Sequence, residues 1–214
     1  MILRSTLAFL SLLTLFACNS ADTEQQPIEI LIAEFSGRSV EPSQRFKNLV
    51  RAQAPELQVS FIEKKFSTTL LLESRTGPFE TWLSSDGASI TTDKGILHST
   101  RGIGAELLAS DLSEPLGFVL AGRGGISDRL MTFLDGNDLA RTETYRCQIK
   151  NEGTRSLQLQ ERSVATRLMS EACRNLQRSF KNLYWVSSQS GKIVQTRQWT
   201  SDYTGEIATR VVFK

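Results

Sequence analysis

From Leu57 to the C-terminus, turn residues cut the chain into short segments of alternating polarity, and this constrains the fold more than any other feature. "LQVSFIEK", "FSTTLLLES", "PFETWLS" and "ASITTD" are rich in β-branched and aromatic residues, which pack well on a pleated surface. The stretch Ser84 to Gly104, "SSDGASITTDKGILHSTRGIG", is the clearest case. Asp86-Gly87 reads as a two-residue hairpin turn, because glycine tolerates the positive φ such turns demand. Asp93-Lys94-Gly95 closes a second turn, so strands at 79–84, 88–92 and 96–100 form a three-stranded meander. The C-terminal third repeats the theme. "ETYRCQIKNEGTRSLQLQERS" reads as two strands around Asn151-Glu152-Gly153, and "NLYWVSSQSGKIVQTRQWT" as two more around Ser190-Gly191. "GEIATRVVFK" is a last strand. Helix signals are few. Ser43 is an N-cap for a helix over about 43–53, with Phe46, Leu49 and Val50 at helical spacing and Pro55 as a stop. "AELLASDL" allows one or two turns of helix, and residues 164–181 fit either helix or strand. The fold class expected is mainly β, an antiparallel meander with a few short helices.

The same glycine-rich stretch holds the single histidine of the chain, His98. On a strand it shares a face with Ile96 and Thr100, while Leu97 and Ser99 point the other way. That position favours a packed or hydrogen-bonded histidine over a catalytic one. No glycine pattern here matches a phosphate loop or dinucleotide fingerprint, and "GRGGIS" at 122–127 lacks the lysine such loops use. The 25 basic and 23 acidic residues are spread along the chain, so nucleic acid is an unsuited partner. A length of 214 residues suits one domain whose core is large enough to hold without metal.

The first residues differ from the rest. "MILRSTLAFLSLLTLFACNS" carries one positive charge, Arg4, then an apolar run from Leu7 to Ala17 that is too short to span a bilayer. It has the form of a secretory signal peptide, residues 1–17. Its end, "LFAC", resembles a bacterial lipobox, in which the leader is cut before a cysteine that then carries a diacylglycerol. Cys18 is the lipidation site on this reading, although Phe16 is bulkier than the residue usual at its place. The alternative is a plain signal peptide with a chance cysteine. Asn19, rather than Asp, after the cysteine favours sorting to the outer membrane. Residues 18–27 form a polar lipidated tether, and 28–214 a single β-rich domain. Cys147 and Cys173 then lie in an oxidising compartment as an even pair, which points to a disulfide. One histidine and two cysteines give no ligand cluster at zinc spacing, so no metal and no other cofactor is expected.

Several stretches together resemble the YjbF/GfcB lipoproteins of group 4 capsule and exopolysaccharide loci. They are the lipobox-like start, "TWLSSDGASITTDKGILHSTRGIGAELLASD" at 81–111, "YRC" at 145–147, "EAC" at 171–173, "NLYWVSSQSGKIVQTRQW" at 182–199, and Gly205. The resemblance implies a strongly curved or half-barrel sheet. It also implies an outer-membrane lipoprotein, on the periplasmic face, that works beside an outer-membrane β-barrel protein and a periplasmic partner in polysaccharide secretion. It carries over no catalytic residues.

Three functions fit the residues. The first is a non-enzymatic accessory or scaffold in capsule or exopolysaccharide secretion, anchored through its acyl chains. The second is a polysaccharide-modifying enzyme. Glycoside hydrolysis needs two flanking carboxylates, and Glu80, Asp86, Asp93 and Glu171 are available, though no spacing singles out a pair. The third is a carrier of lipid or lipoprotein in a curved-sheet groove, which requires a cavity lined by apolar side chains instead of packed by them. If the polysaccharide itself is bound, Trp82, Tyr184, Trp185, Trp199 and Tyr203 are the candidates for stacking on sugar faces.

Overall fold

The computed structural model describes residues 41–213 apart from 105, 135 and 138. The leader, Cys18 and residues 28–35, "IEILIAEF", an apolar opening segment in the sequence, lie outside the described residues. Twelve strands, β1 (Glu56–Phe61), β2 (Phe66–Thr76), β3 (Phe79–Leu83), β4 (Ser89–Asp93), β5 (Ile96–Arg101), β6 (Leu107–Ser110), β7 (Gly125–Leu134), β8 (Ala140–Leu159), β9 (Arg162–Arg174), β10 (Ser179–Ser187), β11 (Ile193–Ser201) and β12 (Gly205–Val211), make one sheet. All pairs are antiparallel, in the order β5-β4-β3-β2-β1-β12-β11-β10-β9-β8-β7-β6. The two ends of that order, β5 and β6, come back against each other, so the sheet is a nearly closed barrel. Alternation explains the inside: on β7, Ser127, Arg129, Met131 and Phe133 are buried while Ile126 and Leu130 are exposed. Register shifts on β2, β4, β6, β8, β10 and β11 bend the sheet round.

Two helices accompany the sheet. Helix α1 (Gln44–Arg51) starts at Ser43, whose hydroxyl accepts from Phe46 N at 3.2 Å, inside the expected span. Helix α2 (Ser113–Ala121) closes one end of the barrel and ends on Gly122 in the left-handed region, φ 68°. Its apolar side chains pack with Ile149, Met169, Tyr184 and Val186. A second cluster, around Val59, Trp82, Leu97, Met131, Tyr145 and Trp199, fills the rest of the interior. Fully burying one such side chain stabilises by roughly 1.5–3 kcal/mol.

The structure corrects four local readings. "AELLASDL" contains strand β6, and the helix starts only at Ser113. Asn151-Glu152-Gly153 is not a turn: β8 runs through it as a bulge, and the chain reverses at Gln160-Glu161 instead. The Asp86-Gly87 turn has three residues, Ser85 to Gly87, closed by Ser84 N donating to Ala88 O at 2.8 Å. The face of His98 is also different. Leu97 pairs with Thr92 and Ser99 with Thr91, so His98 is the extra residue of a bulge. Thr100 pairs with the core residue Ile90 and therefore shares the inner face with Leu97, not with His98. The ambiguous stretch after residue 163 is strand β9 up to Arg174.

Gly87 sits at φ 96° with open space around its Cα. Gly87→Val therefore meets no clash, and its cost is conformational: about 1–3 kcal/mol from forcing a β-branched residue to positive φ. Urea denaturation measures it, and a change below about 0.5 kcal/mol would show that the turn rearranges freely.

Candidate functional site

The barrel interior holds a charged centre. Arg129 on β7 and Glu171 on β9 are fully buried, with Arg129 Nη1 donating to Glu171 Oε2 at 2.7 Å. The same carboxylate oxygen accepts from Tyr184 OH at 2.6 Å and from Asn182 Nδ2 at 2.8 Å, both on β10. Arg129 also donates to Ser110 Oγ on β6 (3.0 Å) and to the Leu97 carbonyl on β5 (3.3 Å). It thus ties both edges of the barrel seam to the far wall. From that wall Gln198 on β11 accepts from Leu97 N at 2.9 Å and donates to Gly95 O at 3.2 Å. Across the seam Leu107 N donates to Thr100 Oγ1 at 3.0 Å. The Nδ1 of His98 meets Ser110 O at 2.9 Å, and its ring packs on Phe79. Side chains therefore satisfy the edge backbone groups that a ladder would otherwise pair.

The electrostatics fit that clasp role. Burial alone would lower the Arg129 pKa, but the charge of Glu171 and the hydrogen bonds to Glu171 and Tyr184 outweigh it, so the guanidinium is held protonated. Burial, then the adjacent Glu171 charge, pushes the Tyr184 hydroxyl well above its ordinary value, so it remains a donor. Glu171 Oε1 is buried and, among the described residues, has no hydrogen-bond partner.

Cys147 on β8 and Cys173 on β9 are register partners joined as a disulfide, with Cα atoms 4.0 Å apart. Their sulfurs and a Glu171 oxygen lie within 4.8 Å of one another, but the S–S bond leaves no thiolate to hold a metal ion.

The four carboxylates weighed as an enzyme pair lie in different settings. Glu80 pairs with Arg75 at 2.9 Å, Asp86 accepts from Ala88 N inside its turn, Asp93 ends β4, and Glu171 belongs to the buried centre. The five ring candidates likewise do not share one face. Trp82, Tyr184 and Trp199 are buried, Trp199 stacking on Phe180. Trp185 is half-buried beside Gln195 in the β10–β11 register. Tyr203 is exposed in the β11–β12 turn, beneath Lys64 Nζ at 4.8 Å. From Gln195 to Ser201 the strand alone covers roughly 20 Å at 3.3 Å per residue.

Sequence reading missed Arg129, and it missed a cavity of about 490 Å³ at the end of the barrel where the β2–β3, β4–β5 and β10–β11 turns meet. Leu57, Phe79, Trp82, Ile193, Val194 and Val211 line it, with Lys94 and Lys192 at its rim.

A family model described as the group 4 capsule polysaccharide lipoprotein gfcB, YjbF, matches residues 18–212. No curated protein matches the chain. Among solved structures the chain is similar to the hypothetical lipoprotein YmcC of Escherichia coli K12. The TM-score is 0.67 and the identity 19%, over 87% of this chain and 95% of that one. At that identity the likeness concerns the fold.

Proposed function

The chain belongs to the YjbF family of group 4 capsule polysaccharide lipoproteins, and from that premise we propose that it is a non-enzymatic accessory of capsule or exopolysaccharide secretion. It works from the periplasmic face of the outer membrane, held by acyl chains on Cys18, beside an outer-membrane β-barrel and periplasmic components of the export route. The observation that supports a scaffold over an enzyme is the use of the interior charges. Glu171, the most buried carboxylate, takes three hydrogen bonds from Arg129, Tyr184 and Asn182, and Arg129 turns Nε and Nη2 to the barrel seam. Hydrolysis of a glycoside needs two carboxylates facing one bond, and Glu80, Asp86 and Asp93 are each placed by a turn or a surface pair.

Anchoring is tested by mass. The membrane-extracted protein is expected to begin at Cys18 and to exceed the mass of the chain 18–214 by glyceryl and acyl groups. Cys18→Ser should release the folded protein from the membrane and stop secretion while the protein still accumulates. A mature chain without added mass, or full secretion from Cys18→Ser cells, overturns the anchored scaffold. Secretion lost in Glu80→Gln or Asp93→Asn, with folded protein at normal abundance, would favour an enzyme.

A further inference from the structure

The cavity at the turn end of the barrel has features that the secretion role does not use. Its 490 Å³ lies within the range of small-ligand sites, about 300–1,000 Å³. Four of its polar side chains already have partners. Thr92 accepts from Trp82 Nε1, Thr209 bonds Thr196 at 2.7 Å, Gln195 accepts from Arg210 at 2.7 Å, and Glu80 holds Arg75. A sugar entering here would leave its hydroxyls facing Leu57, Ile193, Val194 and Val211 without partners, which is costly. A hydrocarbon chain has no such need.

The rim adds charge. Lys94 precedes Gly95 in the β4–β5 turn, and Lys192 precedes Ile193 at the start of β11. The two tips touch, since a Cβ on Gly95 would stand 3.1 Å from Ile193 Cβ. Both lysines are exposed, and among the described residues neither ammonium group makes a hydrogen bond or ion pair. Two unpaired cations thus flank the opening of a mostly apolar cavity whose Thr92, Thr209, Gln195 and Glu80 side chains already have partners.

We propose that this cavity takes a single acyl chain bearing an anionic headgroup, with the tail against Leu57, Phe79, Trp82, Val194 and Val211 and the head between Lys94 and Lys192. The ligand class is a fatty acid or a monoacyl lipid with a carboxylate or phosphate head. This site does not rest on the secretion role, and either can fail without the other.

The test uses the whole chain carrying Cys18→Ser, so that its own acyl groups cannot compete. The probe is 9,10-dibromostearate, whose bromines quench tryptophan on contact. Quenching should saturate at one probe per chain, and Trp82→Phe should remove most of the quenched signal. The neutral methyl ester should bind roughly tenfold more weakly, as expected for two exposed charges, and Lys94→Gln with Lys192→Gln should abolish that difference. Val212→Phe, which fills the cavity from its lining, should weaken binding while the thermal midpoint is retained. Non-saturating quenching, or quenching independent of Trp82, overturns the site. Displacement of the probe by an acidic oligosaccharide overturns it in favour of a sugar. Tighter probe binding by Ile30→Asp with Ile32→Asp overturns it in favour of the chain's own apolar segment as the occupant.

Discussion

Arg129→Met is expected to destabilise the barrel by about 3–5 kcal/mol, because it leaves the Glu171 carboxylate charged and unpaired in a fully buried site. Against a domain stability of roughly 5–15 kcal/mol this is a loss that decides whether the protein folds at all. Three further contacts go with the guanidinium: Ser110 Oγ, the Leu97 carbonyl and the Tyr184 hydroxyl. Two of those lie on the facing edges β6 and β5, so the seam loosens as well as the centre. Met keeps the length of the side chain and limits the cavity term. The double variant Arg129→Met with Glu171→Met should recover at least half of the loss, since it removes both charges together. Urea denaturation of the single and double variants measures the cycle. A single variant that costs less than about 1 kcal/mol would mean that Glu171 is already neutral or reached by water.

Most of the sheet was legible because its signals are local, and the exceptions show where locality ends. At Lys94-Gly95 both residues have positive φ, 49° and 94°, so the turn chemistry alone fixes the hairpin. Gly153 also has positive φ, 86°, yet β8 continues through it. A turn and a bulge ask the same of a glycine, and only the pairing of Thr154 with Arg167 distinguishes them. Helix α2 was hidden for another reason. It is apolar nearly all round, with Leu116, Phe118, Val119 and Leu120 packed into the barrel end, and Pro115 stands in its first turn where proline is tolerated. His98 was misplaced because a bulge shifts the phase of alternation by one residue.

The charged centre had a usable signal that alternation already contained. Arg129 shares its phase with Ser127, Met131 and Phe133 on β7, which puts a guanidinium on the core face. A charge in the buried phase of a strand demands a partner. Glu171 meets that demand from 42 residues away, in phase with Met169 and Cys173 on β9. The identity of the pair was therefore accessible, whereas the seam contacts to Leu97 and Ser110 depend on how far the sheet curls. That curl is set by the sum of the bulges, and no single segment carries it.

The disulfide joins the same two strands, and its loss carries the other large effect. Cys147→Ala with Cys173→Ala should cost about 3–4 kcal/mol, since the bond closes a loop of 26 residues in the unfolded chain. For a domain of this size that corresponds to a fall of roughly 6–16 °C in Tm. The two cysteines are register partners on strands already paired from Arg146 to Leu159, so the bond adds little to the folded geometry and acts chiefly on the unfolded ensemble. Both are buried within the main core cluster, so reductant should reach them only after unfolding, and the folded protein should resist it. Thiol titration checks the bond directly. In a chain carrying Cys18→Ser, denatured, unreduced protein should show no reactive thiol at 147 and 173, and two after reduction. Two reactive thiols before reduction would refute the bond. An unchanged Tm in the double alanine variant would show instead that the unfolded chain is already held compact across those 26 residues.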